Sequence, residues 1–225
     1  DELNPKIWTD FEINPEVRED LLKIAQDFYS STDLQADVDD IILTGSLSNY
    51  NWSEKYSDYD LHILIDFSQV NESVELVKKY ADSVKKIWND AHDIKIKGYE
   101  VEVYIQDVSE PHTSTGVFSL LNNKWKVKPE RIEFEPDEDM IEEKGKSVMM
   151  LVDDLEEEVD EDKYESFLEK LQKVWDKVKN YRKSGLESEG GELSLGNLVF
   201  KFLRRNGYIG KIMNLKKKSY DKQFK

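Results

Sequence analysis

Apolar residues recur along this chain with two periods, and the period changes from segment to segment. Between Asn14 and Ser31, Val17, Leu21, Ile24, Ala25 and Phe28 return at helical spacing. Asn14 stands as an N-cap, Pro15 as the first helical residue and Glu16 as an acid in the first turn, so the segment predicts a helix. Asp40-Ile41-Ile42-Leu43-Thr44 is a short apolar strand ending at Gly45-Ser46. After a polar, aromatic loop from Leu47 to Ser57, the stretch Asp58 to Asp66 is rich in β-formers and reads as a central strand. Asn71 to Ala91 returns to helical spacing through Val74, Leu76, Val77, Tyr80, Ala81, Val84, Ile87 and Trp88. Gly98 then breaks the chain, and Tyr99 to Gln106 alternates strictly, as a third strand does. Val117–Leu121 and Lys124–Val127, joined by Asn122-Asn123, predict a hairpin.

From Glu135 onward the pattern is different. Asp137 to Glu165 is dense in acid and helical in spacing (Met140, Ile141, Val148, Leu151, Val152, Leu155), and it runs into a second helix, Tyr164 to Arg182. Ser184 to Glu192 reads as a Gly/Ser/Glu linker, and Ser194 to Tyr220 as a basic helical region with Ser194 as its N-cap. No internal repeat is visible. Strands mixed with helices in front and helices behind predict an α/β (α+β) mixed-sheet domain over 1–135, followed by a helical C-terminal domain over 136–225.

Composition narrows the class. In 225 residues, 38% are hydrophobic, enough to bury a core, and five Trp, eleven Tyr and nine Phe weigh against a solvated coil. No apolar run approaches the ~18 residues of a membrane span. The opening Asp1-Glu2-Leu3-Asn4-Pro5 lacks the basic-then-apolar plan of a signal peptide, so a cytoplasmic location is expected. Without cysteine there is no disulfide framework, zinc finger or thiol nucleophile. Acids outnumber bases 48 to 32, a net charge of −16, which repels nucleic-acid phosphates. Non-specific duplex-DNA binding is thereby excluded; a nucleotide held through metal ions is not.

One passage carries the candidate chemistry: Gly45-Ser46, eleven intervening residues, then Asp58-Tyr59-Asp60-Leu61. Residues two apart on a strand share a face, so Asp58 and Asp60 project side by side while Tyr59, Leu61 and Ile63 point the other way. Two such carboxylates repel unless a cation sits between them, and Mg²⁺ characteristically takes one or two carboxylates together with substrate phosphates. The third strand offers a further acid on the face shared by Glu100, Glu102, Tyr104 and Gln106; Glu102, mid-strand, is the first choice and Glu100 the reserve. Gly45 lets the backbone approach a phosphate, the turn's N–H groups can line an anion nest, and the Ser46 hydroxyl adds a hydrogen bond.

At these residues a resemblance becomes specific. Gly45-Ser46 … Asp58-x-Asp60 with a later acidic strand residue resembles the signature of the DNA polymerase β-like nucleotidyltransferase superfamily, over positions 40–107. Leu43-Thr44-Gly45-Ser46, Ser57-Asp58-Tyr59-Asp60-Leu61-His62 and Pro111-His112-Thr113-Ser114-Thr115-Gly116 are similar to nucleotidyltransferase-like proteins of bacteriophages. The resemblance implies a nucleotidyltransferase-type mixed sheet, Mg²⁺ or Mn²⁺ (two ions), and transfer of a nucleoside monophosphate from an NTP to a hydroxyl, releasing pyrophosphate. It assigns Asp58, Asp60 and Glu102 to metal and catalysis, with Glu102 standing where many members carry Asp. Gly45, Ser46 and Ser57 fall to the nucleotide, as do Lys201 and Arg204 of the basic C-terminal region. The acceptor stays open between a small molecule, an RNA 3′ end, a protein hydroxyl and a second NTP, as in cyclic or oligonucleotide messenger synthesis. A non-catalytic nucleotide- or protein-binding module of the same fold is the alternative class.

Plainer readings stand beside several of these residues. His62 reads as a core or supporting histidine rather than a ligand. His112 and the hydroxyl run after it can meet a ribose or base, or simply form a turn. Lys55 can reach a phosphate or sit in solvent, and Trp52 can stack on a nucleobase or pack its own loop. The basic residues Lys201, Arg204, Arg205 and Lys211 can meet triphosphate or RNA, or pair with the acidic helix Asp153–Asp162. Gly190-Gly191 lacks the lysine and spacing of a P-loop and reads as linker.

Overall fold

The first regular pairing is one that the hydrophobic pattern does not announce. Trp8–Thr9 (β1) and Glu12–Ile13 (β2) form a small antiparallel pair, joined by Asp10 and Phe11, both at positive φ. In the computed structural model, which describes residues 2–54, 57–112, 114–131, 137–157, 164–188, 190–222 and 224, this pair opens a mixed α/β chain. The chain divides into two compact units, Asp1–Ile132 and Glu133–Lys225.

In the first unit, helix α1 spans Pro15–Ser30, and the Asn14 side chain accepts from the Glu16 and Val17 N–H groups, the cap that the sequence predicts. Strand β3 is Val38–Thr44, β4 is Tyr59–Ile65, and helix α2 is Val74–Ala91, begun three residues later than expected because Ser73 caps it. Lys95–Ile96 (β5) pairs antiparallel with β6, Tyr99–Asp107; Val117–Ser119 (β7) pairs antiparallel with β8, Lys124–Val127. The expected hairpin is present, but its first strand stops at Ser119, whose hydroxyl accepts from the Asn122 N–H and turns the chain.

The six strands order as β5-β6-β4-β3-β7-β8. Only β4 and β6 run parallel among the neighbours, and α2 provides the crossover between them. Alternation sorts the two faces. Ile41, Leu43, Tyr59, Leu61, Ile63, Val103, Ile105 and Phe118 pack against Val17, Leu21, Ala25 and Phe28 of α1 and Val77 and Ala81 of α2. The opposite face holds a small apolar cluster, Ile42, Leu64 and Val117, and it is the face of Asp60 and Glu102.

The second unit is helical: α3 Glu138–Glu157, α4 Tyr164–Leu186, α5 Leu195–Arg205 and α6 Tyr208–Lys222. Helix α4 extends through the first residues of the expected linker, and the single basic helical region is two helices broken at Asn206-Gly207. Its core joins Val152 and Leu155 of α3, Phe167, Leu171 and Val174 of α4, and Ile212 and Leu215 of α6. Among the described residues, no helix is long and apolar enough to cross a membrane.

Candidate metal centre

Three consecutive features of the sheet build the site. Strand β3 ends at Thr44, which lies opposite Asp60 at the start of β4, and Asp60 in turn lies opposite Glu102 on β6. Asp58 stands immediately before β4 and is only 6% exposed. Each of Asp58, Asp60 and Glu102 offers a carboxylate oxygen, and these oxygens lie within 4.8 Å of one another. Glu100, the reserve, is exposed, pairs in register with Lys95 and meets its ammonium at 3.6 Å. The register, rather than residue type, therefore selects Glu102.

Gly45 follows directly. Its φ of 74° and ψ of −165° lie in a region essentially restricted to glycine. A Cβ there would stand 1.8 Å from Asp60 Oδ2, so the absent side chain is what allows the chain to pass over the carboxylate. The next residues, Ser46–Ser48, form a single 3-10 turn. Ser46 is buried, and its hydroxyl meets that of Ser57 at 2.8 Å; Ser57 also accepts from the Ser53 N–H. The expected anion nest is partly engaged within the protein, because the Gly45 N–H donates to Ser114 Oγ at 3.2 Å. Ser48 Oγ donates to the Gly45 and Gly116 carbonyls, tying the 114–116 segment to the same turn. Contacts across 68 and 69 residues leave no local trace, so this clasp could not be read from the sequence beyond its run of hydroxyls.

Beside the carboxylates the same face continues with His62 opposite Tyr104 and Leu64 opposite Gln106. His62 Nδ1 lies 2.6 Å from Gln106 Oε1, and Gln106 Nε2 donates to the Glu110 carbonyl, an orientation that puts the imidazole proton on Nδ1. Burial pushes the His62 pKa down to about 4, only partly offset by that hydrogen bond, so the ring is neutral at pH 7. His62 is thus a supporting residue of the face, as its plainer reading has it. Trp52 packs against the core, with Nε1 donating to the Glu2 carbonyl, which is the loop-packing reading. Lys55 and Thr113 lie outside the described residues.

No protein-family model, curated protein or solved structure matches this chain.

Of the eight predicted site residues, six share the first unit: Gly45, Ser46, Ser57, Asp58, Asp60 and Glu102. Lys201 and Arg204 are on α5 of the second unit, both half-buried. Lys211, from the same basic region, holds Asp153 and Glu156 at 2.6 Å each, the pairing that its plainer reading expects.

The donor set suits a hard divalent cation. It is all oxygen, it comes from two adjacent strands and the residue just before one of them, and one member is buried. Neither Cys nor His belongs to the cluster, so each ligand atom it offers is a carboxylate oxygen.

Proposed function

We propose that the chain is a metal-dependent nucleotidyltransferase of polymerase β-like fold, acting on an NTP and a hydroxyl acceptor. The observation that carries this reading is the convergence of Asp60 and Glu102 from two parallel strands with Asp58 just before the first of them, and with Gly45 folded against Asp60. A divalent cation, or a pair, bound there would neutralise triphosphate charge and polarise the attacked phosphorus.

The protein's own residues would do the rest. Asp58 and Asp60, just before and within the start of β4, would hold the cation, which would supply charge neutralisation for the triphosphate. Ser46 gives its hydroxyl to a phosphate oxygen, exchanging its present partner Ser57 for the substrate. Glu102 takes the proton of the acceptor hydroxyl as the acceptor oxygen bonds to the α-phosphorus. The bond from that phosphorus to the bridging oxygen breaks, and pyrophosphate leaves. A cytoplasmic setting is proposed to supply the NTP.

The test is incubation of the full chain with each labelled NTP and Mg²⁺ or Mn²⁺ across acceptor pools, scored for pyrophosphate. Turnover that disappears in Asp58→Asn and Asp60→Asn supports the reading. No turnover together with no metal-dependent NTP binding overturns it in favour of a non-catalytic module.

A further inference from the structure

Glutamate is a demanding choice for a metal ligand. Its extra methylene adds a rotatable bond, and a carboxylate that swings presents its oxygens to a cation in many geometries. Something on the same face of β6 answers that difficulty. Tyr104, two residues after Glu102, donates its phenolic O–H to Glu102 Oε2 at 3.3 Å. The phenol is itself braced. Its ring stacks on the imidazole of His62, the directly opposite residue on β4, with centroids 4.8 Å apart and planes at 27°. The Lys85 ammonium, from α2, stands 4.1 Å from the ring centroid, an attraction that sharpens the ring's placement. Gln106 and the Glu110 carbonyl complete the chain by fixing His62.

We propose that Tyr104 is a positioning residue for the third carboxylate: it holds one oxygen of Glu102 so that the other is presented to the cation in a fixed geometry. The inference rests on the metal-site reading above and deepens it. Outer partners of metal ligands commonly contribute about 10- to 100-fold to metal affinity, by fixing the ligand before the metal arrives. Tyr104 is half-buried and is not part of the apolar core, so its hydroxyl can be removed without disturbing the packing of the sheet.

The test is Mn²⁺ binding to the full chain, with free Mn²⁺ read by electron paramagnetic resonance, for the wild type, Tyr104→Phe, Glu102→Gln and the double variant. Tyr104→Phe is expected to weaken Mn²⁺ by about tenfold with an unchanged melting temperature. In the Glu102→Gln background the same change is expected to have little further effect. A general loss of folding would show in both backgrounds, which separates it from positioning. Wild-type affinity in Tyr104→Phe, or an equal loss in both backgrounds, overturns the positioning role while leaving the metal site standing. A wild type that binds no Mn²⁺ overturns both.

Discussion

On α3 and α6 of the second unit, Asp153 and Glu156 close on one ammonium, Lys211, at 2.6 Å each. In the first unit, three carboxylates close on one another within 4.8 Å. The first arrangement settles its charge with side chains of its own unit. Hydrogen bonds from Lys211 and Tyr208 hold the Asp153 carboxyl below its usual range, and those to Asp153 and Glu156 raise the lysine. The second arrangement gathers like charge on rigid strands. An all-oxygen cluster of that kind is one that a divalent cation can occupy.

Neutralising the gathered charge should separate the two cases most sharply. Asp58→Asn or Asp60→Asn is expected to lower pyrophosphate release by on the order of 10³-fold, the scale of several kcal/mol of lost metal assistance. The same near-isosteric changes are expected to leave the chain folded, with a melting temperature close to that of the wild type. A variant that loses activity only because it unfolds would break the comparison; circular dichroism melts alongside the assay decide this.

The backbone beneath the cluster is the next point of attack. Gly45→Ala puts a methyl 1.8 Å from Asp60 Oδ2 at a backbone conformation that suits only glycine. A stability loss of about 3 kcal/mol is expected in urea titration, together with weakened Mn²⁺ binding as Asp60 is pushed aside. The matching change in the other unit is Gly196→Ala. Its Cβ would stand 2.2 Å from the Tyr181 carbonyl oxygen, where α5 approaches α4. Overpacking there is expected to cost about 2 kcal/mol, with Mn²⁺ affinity unchanged because every proposed ligand lies in the first unit.

Why some of this was legible beforehand and some was not follows from particular residues. Period-two alternation assigns Asp58 and Asp60 to one face and Glu102 to the face of Tyr104, and a strand has no other way to arrange them. Choosing Glu102 over Glu100 needs the register Asp60 to Glu102 and the pairing of Glu100 with Lys95, which depend on neighbours distant in sequence. The Trp8–Ile13 pair was invisible because its turn is Asp10-Phe11, without the glycine that usually marks a tight hairpin. Trp8 is instead held by distant neighbours, its ring tilted against Trp125, over a hundred residues away, with centroids 4.6 Å apart. The break at Asn206-Gly207 was different: a helix-stop signal was present, but the apolar and basic spacing on either side reads as continuous.

The smallest expected effect belongs to the self-neutralised pair, and its pH profile shows why. Asp153 has a folded pKa below its unfolded one, so its contribution is present above the unfolded carboxylate value of about 3.9 and is lost as pH falls through the depressed folded value. Lys211 has a raised folded pKa, so its contribution is full below about 10.4 and disappears only as pH rises through the higher folded value. Between those limits the two contributions are flat. Both side chains are substantially solvated, at 31% and 41% exposure, which screens the attraction. Lys211→Met is accordingly expected to cost only about 0.5 kcal/mol at pH 7 and low salt. That difference should shrink in 1 M salt, where screening acts over ~3 Å, and should close below the pH at which Asp153 is protonated. Chemical unfolding of wild type and variant at pH 7, along an acid series and at high salt checks all three. A larger or salt-independent loss would mean that Lys211 supports the helical unit through packing of its stem rather than through charge.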